Sequence, residues 1–263
     1  MPIDAHLPSL RRRTILKRLN DGHPVVATDL AIEFGVSEDA IRRDLRDFAA
    51  KGLCSRVYGG ALPLSPASTP IAIRMHEAPD RKRALARAAL PLLSPGQTVF
   101  LDSGSTNALL AAELPTDLNL TVVTNSVPIA GTLMGKPGIT LFMIGGRIEP
   151  QTGGSVGARA ASEVQRFRFD LCFLGTCALS VSGGLSGFEM DDVDFKRALL
   201  ACSQATAVMV TTEKLETTAP HRIAPLAAID HLIVEHDVSA DLLAALGKTG
   251  IAVVAVSPPD AAR

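Results

Sequence analysis

The chain has 263 residues, 47% hydrophobic and 20% charged, with a formal net charge of −1. That length allows one large domain or two unequal ones around a substantial core. No apolar run reaches the roughly 18–20 residues of a membrane span. Met1–Leu10 also lacks a signal-peptide apolar stretch, so the expectation is a cytoplasmic protein. The charge is uneven: residues 1–64 hold ten Lys/Arg and eight Asp/Glu (+2), and the remainder sixteen and nineteen (−3). A weakly basic head on an acidic body fits a head that meets nucleic acid.

In chain order, Ser9 is placed to cap a helix whose Ile15, Leu16 and Leu19 share a face, with Asp21-Gly22 as its stop. His23–Ala27 reads as extended. Thr28 caps a brief helix that turns Leu30, Ala31 and Phe34 inward and ends at Gly35. Ser37 caps a third helix running to about Lys51, closed by Gly52, and Glu38 and Asp39 suit its positive end. There Ile41, Leu45 and Phe48 form one buried stripe, leaving Arg42, Arg43 and Arg46 largely off it.

Taken alone, those arginines fit a solvated helix face balanced by Asp44 and Asp47. The setting changes the reading. A short helix, the Gly35-Val36-Ser37 break and a cationic amphipathic helix make a helix-turn-helix, whose second helix enters the major groove. Leu53–Leu62, LCSRVYGGAL, then folds as a two-stranded wing with Arg56 and Tyr58 placed to touch the sugar-phosphate backbone.

Ala61–Pro70 (ALPLSPASTP) reads as a linker. The expected division is a DNA-binding domain at 1–62, a linker at 63–79 and an α/β domain at 80–263. In the last, candidate strands are Thr98–Leu101, Leu120–Thr124, Thr140–Ile144, Leu171–Gly175, Ala207–Thr211, Leu232–Glu235 and Ile251–Val256. Nearly continuous apolar strands alternating with helices predict a mainly parallel sheet covered on both faces.

Several strand ends could carry chemistry. Val99–Thr106, VFLDSGST, leads a strand through Asp102 into a Gly/Ser/Thr loop opening onto a helix. Such a loop presents amides to an anion, with Ser103, Ser105 and Thr106 adding hydroxyls. The same composition also makes an ordinary turn. Thr124-Asn125-Ser126, Gly145-Gly146-Arg147 and Gly175-Thr176 end later strands, where open parallel sheets hold ligands, although glycine turns are also plain connectors. Glu189, Asp191, Asp192 and Asp194 read as acidic residues in a helix's first turns in preference to a catalytic or metal cluster. Lys196 and Lys214 are the cations most suited to an anionic ligand, with a solvated lysine as the alternative for each. Cys54, Cys172, Cys177 and Cys202 show no metal-ligand spacing and read as reduced thiols. No metal or cofactor is expected.

The run Ala27–Ala61, with its VS-x-x-x-IRRDL, KGL and R-V-x-GGA elements, resembles the N-terminal signature of the DeoR family of bacterial regulators. D-S-G-S-T, T-N-S, I-G-G, F-L-G-T, F-K-R-A and E-K-L extend the resemblance over about Arg74 to Val238. It implies a winged helix-turn-helix joined to a sensing domain resembling sugar-phosphate isomerases. It also implies operator contacts by Ser37, Arg42 and Arg43, to which the pattern above adds Arg46, Arg56 and Tyr58. By the same resemblance, Ser103, Gly104, Ser105, Thr106 and Lys214 hold the phosphate of a phosphorylated effector. Asp102, Asn125 and Lys196 then line its sugar end, near the Gly146 turn.

Two departures are visible. Gly175-Thr176-Cys177-Ala178 stands where relatives carry Gly-Ala-Asp-Gly, and GFEMDDVDFK replaces a T-T-P-type segment; both imply an altered effector choice. The expectation is a non-enzymatic repressor of carbohydrate or related metabolic genes. It binds double-stranded operator DNA and a phosphorylated small molecule, as a homodimer or homotetramer. An isomerase with an accessory head and a redox regulator using Cys172 and Cys177 are the alternatives.

Overall fold

A computed structural model of the protein describes residues 8–20, 24–50, 53–62 and 69–257. The expected helix stops at Asp21-Gly22 and Gly52, and linker residues 63–68, lie outside the described residues. The chain divides into two units, Met1–Ser68 and Thr69–Arg263.

The first unit runs α1 (Pro8–Asn20), β1 (Val25–Val26), α2 (Ala27–Phe34), α3 (Glu38–Ala50), β2 (Ser55–Val57) and β3 (Gly60–Leu62). Ile15 and Leu19 of α1, Leu30 and Phe34 of α2, and Ile41, Leu45 and Phe48 of α3 share one core. Gly35 stops α2 in the left-handed conformation that glycine tolerates. β2 and β3 pair antiparallel as the wing, and β3 also pairs with β1. Gly60 makes that second pairing possible, since a Cβ there would stand 2.0 Å from the Val25 carbonyl oxygen.

Two expected caps differ. α1 is already helical at Pro8, so Ser9 lies inside its first turn, after a proline suited to a helix start. α2 begins at Ala27 with Val26 in the cap position. The Ala27 N–H donates to the Gly59 carbonyl at 2.8 Å, so the wing satisfies the first amide of α2 and Thr28 lies inside the first turn. Ser37 does cap α3, accepting from the Ala40 N–H at 3.3 Å.

The second unit opens with α4 (Ile71–Arg74) and α5 (Pro79–Ala89). It continues through β4 (Thr98–Leu101), α6 (Ser105–Glu113), β5 (Leu120–Thr124), α7 (Val127–Leu133), β6 (Ile139–Met143), β7 (Arg147–Glu149), β8 (Gly154–Val156) and α8 (Ala158–Val164). The remaining elements are β9 (Leu171–Leu174), β10 (Ala178–Ser180), β11 (Gly184–Gly187), α9 (Met190–Ala201), β12 (Thr206–Val210), β13 (His221–Ala224), β14 (His231–Val234), α10 (Ala240–Gly247) and β15 (Ala252–Ala255).

Seven strands form one parallel sheet in the order β15-β14-β12-β9-β4-β5-β6. Successive residues point to opposite faces. Val99 and Leu101 of β4 therefore join α5, α6 and α7 in one core, while Phe100 joins α8, α9 and α10 in the other. Burial on both faces is why the five inner strands are nearly continuous apolar runs, whereas the edge strands β6 and β15 are largely exposed. β10, β11 and β13 form a smaller antiparallel sheet, and β7–β8 is a separate hairpin. From β4 the chain winds outward to β5 and β6, and from β9 outward the other way to β12, β14 and β15. The boundary between β4 and β9 is the topological switch point, outside whose carboxyl ends such sheets bind ligands.

Candidate functional site

In the first unit, α3 sorts its charges by face. Asp44 follows Ile41 by three residues and points inward, buried. It accepts from Arg11 Nε at 2.8 Å and Arg12 Nη1 at 2.9 Å, and Asp47 accepts from Arg12 at 3.0 Å. Arg12 also lies over the Phe48 ring, 4.9 Å from its centroid. Both acidic residues are thus used within the head and do not neutralise the outward arginines. Arg43 and Arg46 are exposed with no acidic partner among the described residues, while Arg42 pairs with Glu38 at 2.7 Å. Arg42, Arg56 and Tyr58 line a cleft of about 250 Å³ between α3 and the wing, and Tyr58 stands fully exposed. Ser37 is exposed at the start of α3. The face carries unopposed positive charge, guanidinium forks and a phenol, the groups that meet phosphates and base edges.

In the second unit, the expected ligand residues gather at the carboxyl ends of the central strands. Asp102, at the end of β4, is fully buried. Its Oδ1 accepts from the Ser103 N–H at 2.8 Å, and its Oδ2 accepts from the Gly175 N–H at 2.9 Å. That carboxylate stitches the two strands that flank the switch point. Lys196 Nζ bridges Asp102 Oδ2 at 2.9 Å and Asp192 Oδ1 at 2.8 Å, all three side chains being buried. Burial pushes the Asp102 carboxyl up while Lys196 pulls it down. Burial alone would lower the Lys196 ammonium, but Asp102 and Asp192 outweigh it and hold Lys196 above its ordinary range. Lys196 is therefore a charged tie under the site, its charge balanced by two buried carboxylates.

The loop Ser103–Thr106 opens onto α6, whose first turn contains Ser105 and Thr106. Asn125 accepts from the Ser103 N–H at 3.0 Å and donates to the Ser155 carbonyl at 3.2 Å, so its amide shapes the loop. Asn107 does likewise, donating to the Asp102 and Phe173 carbonyls. Gly104 precedes α6, and Gly146 sits at the base of the β7–β8 hairpin against the Ser155 side chain. The buried Ser103 hydroxyl has no hydrogen-bond partner, and neither does that of Ser155. An unpaired buried hydroxyl is costly, and at Ser103 it lies in an amide-lined loop.

Three cations face this region. Lys214 Nζ donates to the Thr176 carbonyl at 2.8 Å, its one hydrogen bond among the described residues. Arg74 is buried and donates to the Thr69 and Gln151 carbonyls at 2.7 and 2.8 Å. Lys82, also buried, donates to the Arg74 carbonyl at 2.5 Å. None has a carboxylate at salt-bridge distance among the described residues. Burial, with Arg74, Lys82 and Lys196 nearby, drives the Lys214 ammonium down to about 8. Burial likewise lowers Arg74 and Lys82. Buried positive charge without a carboxylate in direct contact favours an incoming anion. Sequence reasoning missed Arg74, assigned to the linker, and Lys82. The Lys82 signal was its spacing from Leu85, Ala86 and Ala89, which places it on the buried face of α5.

A larger cleft of about 420 Å³, lined by Pro95, Gly96, Gln97, Asp170, Gln204 and Ala205, lies at the opposite, amino ends of the strands and has no cation. Three of the Glu189–Asp194 acids are paired individually: Asp191 with Arg147, Asp192 with Lys196, Asp194 with Arg197. Among the described residues no acidic, His or Cys group could hold a metal, and no helix is long and apolar enough to cross a membrane. None of the four cysteines is in a disulfide. Burial pushes the Cys172 and Cys177 thiols up, away from the thiolate a redox switch needs.

A cationic winged helix-turn-helix followed in the chain by an α/β unit with a cation-lined switch point defines a ligand-responsive DNA-binding regulator. The comparisons agree: residues 11–67 match the DeoR-like helix-turn-helix domain and residues 77–236 the DeoR C terminal sensor domain. The chain belongs to the DeoR family. It is 32% identical over 253 residues to a putative aga operon transcriptional repressor of Escherichia coli O157:H7, covering 94% of each chain. It is 30% identical over 221 residues to the glycerol-3-phosphate regulon repressor of Escherichia coli K12, covering 84% of this chain and 88% of that one. Among solved structures it is similar to ribose 5-phosphate isomerase A from Methanocaldococcus jannaschii (19% identity, 52% and 54% covered, TM-score 0.39). The protein is a transcription regulator and not an isomerase. Asp102, the acid that an isomerase reading needs as a base, is committed to two amides and Lys196.

Proposed function

We propose that the protein is a repressor whose operator affinity falls when a phosphorylated sugar or polyol binds at the β4–β9 switch point. Arg43 and Arg46 read the major groove, joined by Arg42 once it leaves Glu38, while Ser37, Arg56 and Tyr58 hold the backbone. Two heads are needed for two half-sites, so the active form is a dimer or tetramer. In the sensing unit, the Ser103–Thr106 loop and the amino end of α6 take the phosphate, with Lys214, Arg74 and Lys82 supplying charge. Asp102, Asn125, Gly146 and Lys196 shape the end that meets the rest of the ligand, and Cys177 adjusts which ligand fits. The observation that carries this reading is a trio of cations whose partners among the described residues are carbonyls, in a sensing unit whose strand-end loop holds an unpaired Ser103 hydroxyl. The relatives named for a glycerol-3-phosphate regulon and an aga operon support a carbohydrate-derived ligand.

The test is a thermal-shift screen of phosphorylated sugars and polyols on the full chain, each beside its unphosphorylated parent. A binder raises the melting temperature by mass action. The expected result is a shift with a phosphorylated compound and none with its parent; no shift with any phosphorylated compound overturns the reading.

The pH dependence follows from Lys214. With its free ammonium titrating at about 8, binding a phosphate above that pH requires proton uptake. Affinity is therefore expected to fall as pH rises through 8, and to fall below about 6 as the phosphate itself takes a proton. Calorimetry across pH checks this, and Lys214→Arg is expected to remove the alkaline limb.

A further inference from the structure

We propose that the β7–β8 hairpin is a strap that ligand binding lifts, passing the signal from the sensing site to the segment that joins the DNA-binding head. This rests on the ligand site proposed above. At its base, the hairpin covers the phosphate loop. A Cβ added to Gly154 would stand 2.7 Å from the Ser103 Cβ and hydroxyl and 3.1 Å from Asn125 Nδ2. That contact leaves no room for a ligand oxygen over Ser103. The Ser155 N–H donates to the Asn125 carbonyl at 2.8 Å and the Val127 N–H to the Gly153 carbonyl at 3.0 Å, fastening the strap across the end of β5.

At its tip, the strap holds the start of the sensing unit. The Gln151 carbonyl accepts from the Ile71 N–H at 3.0 Å and from the Arg74 guanidinium at 2.8 Å. The Ile71 side chain lies against Gly153, 2.9 Å from where a Cβ would be. Ile71 follows Leu62, the last residue of the wing, by nine positions, so its segment is the covalent approach to the head.

A ligand phosphate competes with both ends of this strap. To accept from the Ser103 hydroxyl it must displace Gly154, and to pair with Arg74 it must draw the guanidinium from Gln151. The closed strap is poised to yield, because it leaves the Ser103 and Ser155 hydroxyls buried without partners. Two states of one element, biased from both sides, are what coupling between sites requires.

The experiment has a ligand-free arm and a ligand arm, both on the full chain. Gly154→Ala, which wedges the strap off Ser103, is expected to weaken ligand-free operator binding about tenfold or more, within the usual range of such couplings. Amide exchange at Ile71 and Val127 should accelerate in the same variant. Should Gly154→Ala not fold, Ser155→Ala provides the converse. Removing an unpaired hydroxyl favours the closed strap, so operator binding stays at least as tight and several-fold more ligand is needed for release. In the ligand arm, inorganic phosphate and glycerol 3-phosphate at millimolar concentration are added to the unaltered protein, and exchange at Ile71 and Val127 is expected to rise. A melting shift without faster exchange at these amides, or unchanged operator binding and ligand response in both variants, overturns the strap while leaving the ligand site standing. No melting shift with either probe or any other phosphorylated compound overturns the ligand site, and the ligand's action on the strap with it.

Discussion

Replacing Arg43 with alanine is expected to lower operator affinity roughly ten- to hundredfold, corresponding to the ~1–3 kcal/mol carried by a bidentate base contact. The argument starts with the sorting of charge on α3. Asp44 and Asp47, the residues that could neutralise the outward arginines, are occupied by Arg11 and Arg12. Arg43 is left exposed on a helix whose inner face is fixed by Ile41, Leu45 and Phe48, so its guanidinium has no internal interaction to lose. Its removal should leave the head's stability within about 0.5 kcal/mol, the usual effect of a surface substitution. Arg42→Ala should lose less, because Arg42 gives up a pair with Glu38 to reach DNA. Fluorescence anisotropy with labelled operator at fixed salt measures both. Equal affinity for the Arg43→Ala and parent proteins would remove α3 from the groove.

The second large effect is on folding. Lys196→Met is expected to destabilise the sensing unit by about 3–5 kcal/mol, the cost of breaking a buried ion pair and leaving its partners charged. Here two carboxylates, Asp102 and Asp192, lie 2.9 and 2.8 Å from the same ammonium. Without it they face each other in a dry site, and burial together with the neighbouring Asp192 charge drives the Asp102 carboxyl upward. A carboxyl whose folded value is raised above its unfolded value destabilises at pH above both, and that penalty fades as pH falls. The deficit of the variant should therefore be greatest near neutrality and shrink toward pH 5. Urea unfolding at several pH values checks this. Because the chain has two units, transitions of head and sensor are to be followed separately. A deficit independent of pH would mean that lost packing, and not stranded charge, is responsible.

Much of this architecture was legible from local pattern. All seven strands of the parallel sheet were visible as short apolar runs: the five inner strands are buried on both faces, and the edge strands β6 and β15 keep the apolar pattern although they are largely exposed. The turn-helix-wing order was visible because Gly35, Ser37 and the Gly59-Gly60 pair are local backbone requirements. What was hidden depends on partners distant in sequence. The β7–β8 hairpin, in GGRIEPQTGGSVG, has few apolar residues and is held by Asn125, Val127 and Ile71. Arg74 looked like linker because its carbonyl partners include Gln151, 77 residues away. The inward turn of Asp44 was readable from its spacing to Ile41, but its meaning needed Arg11 and Arg12. Lys196 carried the right residue type for an anion, yet its charge is spent on Asp102 and Asp192. The caps expected at Ser9 and Thr28 failed because the helices start earlier, α1 at Pro8 and α2 at Ala27, which puts both hydroxyls inside the first turn.

The measurement that tests the central claim most directly is an operator titration of the full chain with and without the phosphorylated compound giving the largest thermal shift. The predicted result is at least a tenfold loss of operator affinity with the compound present, and no such loss in a Lys214→Glu variant that still binds operator. Operator affinity unchanged by a compound that demonstrably binds the sensing unit would contradict the account.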